Sequence, residues 1–504
     1  MAPMAVPVME HDRRTARLSL RTLPQVPPGV RPPAYDPADV QVGIVHLGIG
    51  AFHRAHQAVY TDDVLGSGMD GWGICGVTQT RPNVVDQLRP QDGLFTVLTK
   101  RVGASELRLV GAVREVLHAQ ADALLVRERL AEERVRVVTV TVTEKGYRAD
   151  PATGSLDLDD PVIRSDLATS QPFRSVVGQL VSGFAERRRA DAGPVTVLSC
   201  DNLPGNSRLL ASLVDGFCAR ASLPDAPAVR AWVHEHVAFA DTVVDRVVPA
   251  TVPEDLVEVE DRLGLADHGA VTAEPFRQWV IEDHFAAGRP AWERVGAVLA
   301  TDVAPFQEAK LRLLNGGHSL LAYLLCADRD VTVSDAVADP GIAALLRSYL
   351  TEAATTLEDR PAELAGYEDA ILERFADPSI RHRLTQIAAD GSQKVPRRLV
   401  SVAASRVAAG REPTWSALGI AAWIRYVRLA ADRGESIVDP LHDLLLRAAG
   451  SGSPSQVTSR LLSAAGVDAE LTADPVFRRA VVGWLDALDR HGIETAIEAT
   501  REGA

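Results

Sequence analysis

Apolar residues follow two regimes along the chain. Between about residues 40 and 300, short runs rich in β-branched residues alternate with longer segments whose apolar positions recur every three or four residues. The runs at 40–47 (VQVGIVHL), 73–77 (GICGV), 95–100, 106–108, 136–143 (RVVTVTVT), 194–200 (PVTVLSC) and 242–248 read as strands, with 110–116 continuing the pair around Gly103. Helices are expected over about 51–65, 124–131, 175–189, from 207, 228–239 and 256–265. Such alternation predicts an α/β domain with a doubly wound sheet. Beyond residue 305 only the helical period persists, near 305–326, 340–356, 361–376, 378–389, 396–408, 414–429, 440–449, 456–465 and 475–499. The change of period places a boundary near 290–304. It predicts a Pro- and Arg-rich irregular tail (1–38), an α/β domain (39–295) and a mostly α-helical domain (296–504). Residues 154–166 read as a surface excursion, and Arg187, Arg188 and Arg189 as a solvated helix end.

Candidate chemistry sits where strands end. The first strand runs into Gly48-Ile-Gly50, and Ala51 and Phe52 open the next helix. Strand, glycine turn and helix form the context of a dinucleotide fingerprint, although His53 stands where its third glycine would be. The same turn is also compatible with a purely structural role. After the second strand no carboxylate occurs before Asp86; Arg81 would meet a 2′-phosphate, or is an ordinary loop arginine, so NAD and NADP both stay open. Lys145 and Tyr147 follow the strand at 136–143, and Asp201, Asn202 and Asn206 follow the strand at 194–200. These loops offer hydrogen-bonding groups to a ligand, or they are turns with a packed tyrosine and Asx caps.

The helix expected at 305–323 (PFQEAKLRLLNGGHSLLAY) carries Lys310, Asn315 and His318. At α-helical pitch His318 lies about 80° and Asn315 about 140° round from Lys310, so all three share one broad side. Gly316 and Gly317 cost helix propensity, which a helix tolerates where something must approach its backbone. A core helix and a catalytic helix both satisfy this pattern. Downstream, a break over 390–398 brings Lys394, Arg397 and Arg398 together, either for an anionic or polyhydroxylated ligand or as a solvated loop.

Composition narrows the classes. The 504 residues carry 53 basic and 67 acidic side chains, a net charge of −14 that repels nucleic acid and anionic membranes. No apolar run reaches membrane-spanning length and none resembles a leader, so a cytoplasmic location is expected. Cys75, Cys200, Cys218 and Cys326 lack disulfide or metal spacing, and no histidine cluster has metal-ligand spacing.

Seven separated segments then carry a resemblance: HLGIGAFHRAHQAVY (46–60), TVTEKGY (141–147), SCDN (199–202), VDRVVPA (244–250), EPFRQWVIED (274–283), KLRLLNGGHS (310–319) and DGSQKVP (390–396). In register over roughly residues 40–430, the chain resembles the polyol-specific long-chain dehydrogenases, which include mannitol 2-dehydrogenase and the fructuronate and tagaturonate reductases. The resemblance implies a metal-independent oxidoreductase with a Rossmann-type N-terminal domain, a helical C-terminal domain and NAD as cofactor, NADP not being excluded. It implies a monomer acting on a small sugar or sugar acid, without nucleic-acid or membrane partners. The family motif Lys-x4-Asn-x2-His falls on Lys310, Asn315 and His318, with lysine as general acid/base and asparagine as an oxyanion donor. A second oxyanion amide falls on Asn202 or Asn206, Lys394 near the substrate, and Gly48 and Gly50 at the cofactor turn. Gln386 replaces an arginine of some mannitol dehydrogenases, and the forms FHRAH, TEKGY, FRQWVIED and DGSQK look most like fructuronate reductase. The expected reaction is D-mannonate + NAD = D-fructuronate + NADH. The alternatives are oxidation of mannitol or a related polyol, and nucleotide binding without turnover. Because a free lysine titrates near 10.4, catalysis at neutral pH also requires surroundings that lower the pKa of Lys310.

Overall fold

The computed structural model describes residues 15–80, 82–150, 153–169, 172–325, 331–358 and 360–502. The chain divides into two compact units, one ending at Val303 and one beginning at Ala304. Among the described residues twelve strands form, all in the first unit: β1 Val42–Leu47, β2 Gly73–Thr78, β3 Phe95–Arg101, β4 Ala104–Val110, β5 Val113–His118, β6 Val137–Val140, β7 Val195–Ser199, β8 Val237–Ala240, β9 Thr242–Asp245, β10 Val271–Ala273, β11 Gln278–Glu282 and β12 Val298–Ala300.

Six of them make one parallel sheet in the order β5-β2-β1-β6-β7-β8. Counted along the sheet-forming strands this is the order 3-2-1-4-5-6 of a Rossmann domain. Burial on both faces explains the near-continuous apolar strands. Val45 and Leu47 join one core layer with Val126, Leu180 and Leu210 of the helices Ala123–Ala131, Val176–Ala190 and Asn206–Cys218. Ile44, one residue out of phase, joins the opposite layer with Val59 and Val64 of the helix Gln57–Gly66. Two three-stranded sheets, β10-β3-β4 and β12-β11-β9, complete the unit.

Several expectations shift. Of residues 110–116 only Val110 belongs to the β3–β4 hairpin; β5, from Val113, is a separate edge strand of the main sheet. The strand expected at 136–143 stops at Val140, and Val237–Ala240, read as the end of a helix, is the sixth parallel strand. The excursion at 154–166 leads into the helix Pro161–Ala168, where Ile163 and Asp166 are buried. Residues 15–38 are irregular apart from two short turns, yet Leu18 and Val30 are buried and Arg17 and Arg31 make bridges to Ala266 and Arg108. Pairing of β12 with β11 keeps residues 298–300 with the first unit.

Among its described residues the second unit contains helices and no strand. Its centre is the helix Thr414–Arg433, buried from Ser416 to Ile424, against which Gly316–Leu325 and Pro475–His491 pack. Gly492, at φ +69°, ends the last long helix and the chain resumes at Glu494–Glu502. The break expected at 390–398 is helical instead: Gly391–Val395 runs into an i→i+5 segment, Pro396–Val400, and then Ser401–Ala408. Pro396 sits inside this continuous helical run with no N–H to give the carbonyl four residues back, and the wider i→i+5 turn begins at that proline. Cys75, Cys200 and Cys218 are buried free thiols, and Cys326 lies outside the described residues. No helix among the described residues is long and apolar enough to cross a membrane.

The arginine triplet also departs from its expected role. Arg187 is fully buried and donates to the carbonyls of Leu130, Glu132, Ala192, Gly193 and Pro194 at 2.7–3.2 Å, closing the turn between its helix and β7. Burial draws its pKa down to about 10, so it stays charged at neutral pH. Arg187→Ala strands several buried acceptors at once and is expected to cost about 3 kcal/mol in urea unfolding. The exposed Arg189→Ala should stay within about 0.5 kcal/mol of wild type. Equal effects of the two would contradict this role.

Candidate active site

The first unit gathers its candidate residues at the carboxyl ends of β1, β6 and β7, where the strand order of the sheet reverses. Gly48 has φ +111°, and a Cβ there would fall 2.0 Å from the Thr141 carbonyl oxygen. Its amide donates to Val77 O at 2.7 Å, and its own carbonyl accepts from the Thr141 hydroxyl at 2.8 Å. Glycine is therefore required at 48 by the protein itself. Gly50 differs: its φ of −91° suits any residue, and a Cβ would meet nothing nearer than 3.8 Å. A missing side chain there leaves open space at the start of the helix Ala51–Ala55, which fits a group that must approach the backbone closely. Phe52 in that first turn is stacked on His56, with centroids 5.0 Å apart.

The residue in place of the third glycine is structural. His53 is buried and stacked on His46 at 3.4 Å. His46 Nδ1 lies 2.7 Å from the Thr139 hydroxyl and Nε2 lies 2.9 Å from Thr141 Oγ1. Since Thr141 spends its proton on Gly48 O, His46 donates through Nε2 and accepts through Nδ1, the neutral tautomer. Burial drives the pKa of His46 and of His56 down to about 3, and that of His53 well below its ordinary value. Two arginines of the quoted segments are staples as well. Arg246 binds the carbonyls of Ala55 and Glu274, and Arg54 those of Gly50 and Gly269.

Asp201 organises the loops after β6 and β7. Its carboxylate accepts from the amides of Val142 and Thr143 at 2.9 and 3.0 Å and from the Tyr147 hydroxyl at 2.7 Å. These bonds hold Thr143 at φ 67°, ψ 162°, a conformation costly for a β-branched residue. Tyr147 is buried with its hydroxyl between Asp201 and Ser199, so it braces the loop rather than lining a ligand surface. Lys145, on the short turn Glu144–Tyr147, is exposed. The two candidate asparagines separate cleanly. Asn206 is buried; its Nδ2 donates to Asp201 O and Thr242 O, and its Oδ1 accepts from the amides of Ser207 and Thr242. Every hydrogen-bonding position of that amide is used inside the fold, whereas Asn202 is exposed on the loop. Arg81 lies outside the described residues.

In the second unit the expected helix over 305–323 is interrupted. Ala304–Ala309 and Gly316–Leu325 are α-helical, but Lys310–Asn315 between them is a π segment, with the Gly316 amide reaching Leu311 O five residues back. In an α-helix residue i+5 stands about 140° away from residue i, whereas the wider turn returns it toward residue i. Lys310 and Asn315 are thus closer to one direction than uniform helical spacing implies. The His318 ring packs on Phe375 at 4.1 Å and edge-on to His382 at 5.2 Å. Its pKa lies well below the ordinary value, first through burial and then through His382, Arg374, Arg398 and Lys310.

Lys394 contributes to the same positive group. Its Nζ donates to Ile387 O at 3.3 Å and lies 3.9 Å from Asp390, and burial with nearby Arg398 lowers its pKa. Arg397 is exposed. Arg398, instead, reaches Ser319 Oγ at 3.1 Å and Asn315 O at 3.4 Å. Arg374 and His382 escaped the sequence reading because they lie far from His318 in the chain, and no spacing links them. Among the described residues no group of three or more His, Cys, Asp or Glu side chains is placed to hold a metal ion.

Comparison with known proteins agrees with the fold. The model of the mannitol dehydrogenase Rossmann domain matches residues 42–294, and that of the mannitol dehydrogenase C-terminal domain matches 302–489. The uncharacterized oxidoreductase YeiQ of Escherichia coli K12 is 43% identical over 464 residues, 90% of this chain and 94% of that protein. The D-mannonate oxidoreductase of the same strain is 41% identical over 417 residues, 81% of this chain and 85% of that one. A solved structure of Pseudomonas fluorescens mannitol 2-dehydrogenase, in ternary complex with NAD and D-mannitol, matches with TM-score 0.83 at 32% identity, covering 97% of this chain and 100% of that one.

The buried histidines of the first unit give the site region a pH dependence. The unfolded chain binds protons at these histidines below about pH 6.5, and the folded chain refuses them down to about pH 3. Stability therefore falls as pH drops through that window, by up to about 1.4 kcal/mol per pH unit for each histidine. The urea midpoint of the first unit's transition should decline steeply from pH 7 to pH 5. A midpoint that stays flat or rises over that range would show that the histidines protonate freely in the fold.

Proposed function

The chain belongs to the mannitol dehydrogenase family, and from that premise we propose that it interconverts a keto sugar acid and its aldonate, D-fructuronate and D-mannonate, with NAD as redox partner. At the coarser level it is a nicotinamide-dependent oxidoreductase acting on sugar or sugar-acid substrates. The observation that carries the finer reading is the positive charge around the helix of Lys310. Arg374, Arg398 and Lys310 act together on His318, and Lys394 adjoins Arg398 with Asp390 as a partial offset, while burial keeps His382 toward its neutral form. A substrate carboxylate gains from such a field, and charge-assisted hydrogen bonds to it are roughly twice as strong as neutral ones. A neutral polyol gains nothing comparable. The similarity to a D-mannonate oxidoreductase over most of both chains supports the same choice.

The chemistry divides among named groups. Gly48, Gly50 and the helix start at Ala51 and Phe52 would hold the cofactor, whose nicotinamide supplies or accepts the hydride when bound. In reduction, protonated Lys310 donates its proton to the carbonyl oxygen of the sugar acid. In oxidation, neutral Lys310 takes the hydroxyl proton. Asn315 and Asn202 donate to the developing alkoxide, each typically worth about 3 kcal/mol. Asn202 takes this place because the Asn206 amide is fully engaged within the fold. His318, neutral at working pH, helps to hold the reacting oxygen. Lys394, with Arg397 and Lys145 nearer the surface of their own units, serves the sugar acid's polar groups.

One assay set tests the reading. Lys310→Ala should lower kcat by about 10²–10⁴-fold, with partial recovery on adding small primary amines. Lys394→Gln should raise KM for the sugar acid about tenfold, the equivalent of 1.4 kcal/mol, and leave KM for a neutral ketose nearly unchanged. Wild-type turnover by Lys310→Ala would remove lysine from the mechanism. An equal KM change for acid and neutral substrates would remove the carboxylate from the assignment.

A further inference from the structure

The π segment raises the question of what keeps it from relaxing to a plain α-helix. In an α-helix the Gly316 amide would bond to Arg312 O, four residues back. Here it reaches Leu311 O, and Arg312 O accepts instead from the Tyr349 hydroxyl at 2.7 Å. Tyr349 comes from the neighbouring helix Pro340–Ala354 and is completely buried. Its hydroxyl also lies 3.4 Å from Arg398 O, inside the second π segment, Pro396–Val400. Arg398 in return donates to Asn315 O and Ser319 Oγ. One buried hydroxyl and one guanidinium thus tie the two i→i+5 segments together.

Gly316 completes the arrangement. A Cβ there would fall 1.9 Å from the Tyr349 hydroxyl and 2.9 Å from its ring carbon, so the glycine is what admits the tyrosine. The group that approaches this helix backbone is a side chain of the same unit. Gly317 is less constrained, its Cβ meeting Leu346 at 3.1 Å.

We propose that Tyr349 is a positioning residue: its hydroxyl, by taking Arg312 O, holds Lys310–Asn315 in the π register and so sets the directions of Lys310 and Asn315. The inference rests on the assignment of those two residues to the reacting oxygen. Returned to an α-helical register, Asn315 would turn away from the direction of Lys310. Misplacement of a catalytic group by about 1 Å can cost about 10²-fold in rate.

Tyr349→Phe removes only the hydroxyl. Its kcat should fall by about 10-fold to 10²-fold with the dissociation constant for NADH, measured by fluorescence, unchanged. The pH profile of kcat should also shift, because the environment of Lys310 changes with its direction. Gly316→Ala should be severely impaired on its own and less impaired in the Tyr349→Phe background, where the colliding oxygen is gone. Wild-type kcat and pH profile in Tyr349→Phe would overturn the proposal. So would a loss of activity matched by a loss of folded protein with the pH profile unmoved, which marks a purely structural tyrosine. Lys310→Ala measured alongside separates the two levels. If it is inactive while Tyr349→Phe is normal, only the positioning role fails; if it is active, the catalytic assignment fails and takes the positioning role with it.

Discussion

Where Lys310–Asn315 widens to i→i+5 bonding, the Arg312 carbonyl gives up its α-helical partner and the Tyr349 hydroxyl takes its place. Much of the second unit's chemistry follows from that exchange. The wider turn brings the lysine and the asparagine toward a common direction, which a straight helix does not do. Room for the hydroxyl requires Gly316, and the helix length C-terminal to it, Gly316–Leu325, packs its leucines on Thr414–Arg433. The helix is at once a core element and a carrier of polar groups. This departure from regular hydrogen bonding is tolerated because the Arg312 carbonyl it frees finds another partner.

The first unit solves a related problem with backbone contacts. Gly48 and Thr141 meet where the sheet order reverses, too closely for any side chain at 48. Asp201 then ties the loop after β6 to the loop after β7, holding Thr143 in a conformation it would not choose alone. Strain of this kind persists where surrounding bonds over-determine it, and such places concentrate at ligand sites. Asn202 follows directly on the residue that anchors this network. On the proposed role of Asn202, the rigidity needed to aim its amide is built into its nearest neighbour.

The sequence pattern made the parallel sheet, the glycine turn and the change to an all-helical half legible, because β-branched runs and helical periods report burial directly. Strand-end residues were legible as candidates, but not their division of labour. Asn202 and Asn206 look alike in the chain; only the partners of Asn206 show that its amide is spent. Tyr147 and Arg187 read as a site residue and a solvated charge, and both are buried, because one tyrosine hydroxyl and one guanidinium satisfy polar groups that neighbouring loops leave unpaired. The π segments were invisible, since apolar spacing over six residues does not separate i→i+4 from i→i+5 bonding. Arg374 and His382 join His318 only through tertiary packing.

The cations around His318 are proposed to serve a substrate carboxylate. The direct measurement is kcat/KM for D-fructuronate against D-fructose, with saturating NADH and the same enzyme at one pH. D-fructuronate should be preferred by about 10²-fold or more, because cations placed for a carboxylate are left unpaired by the neutral ketose. Equal efficiencies, or a preference for D-fructose, would contradict it.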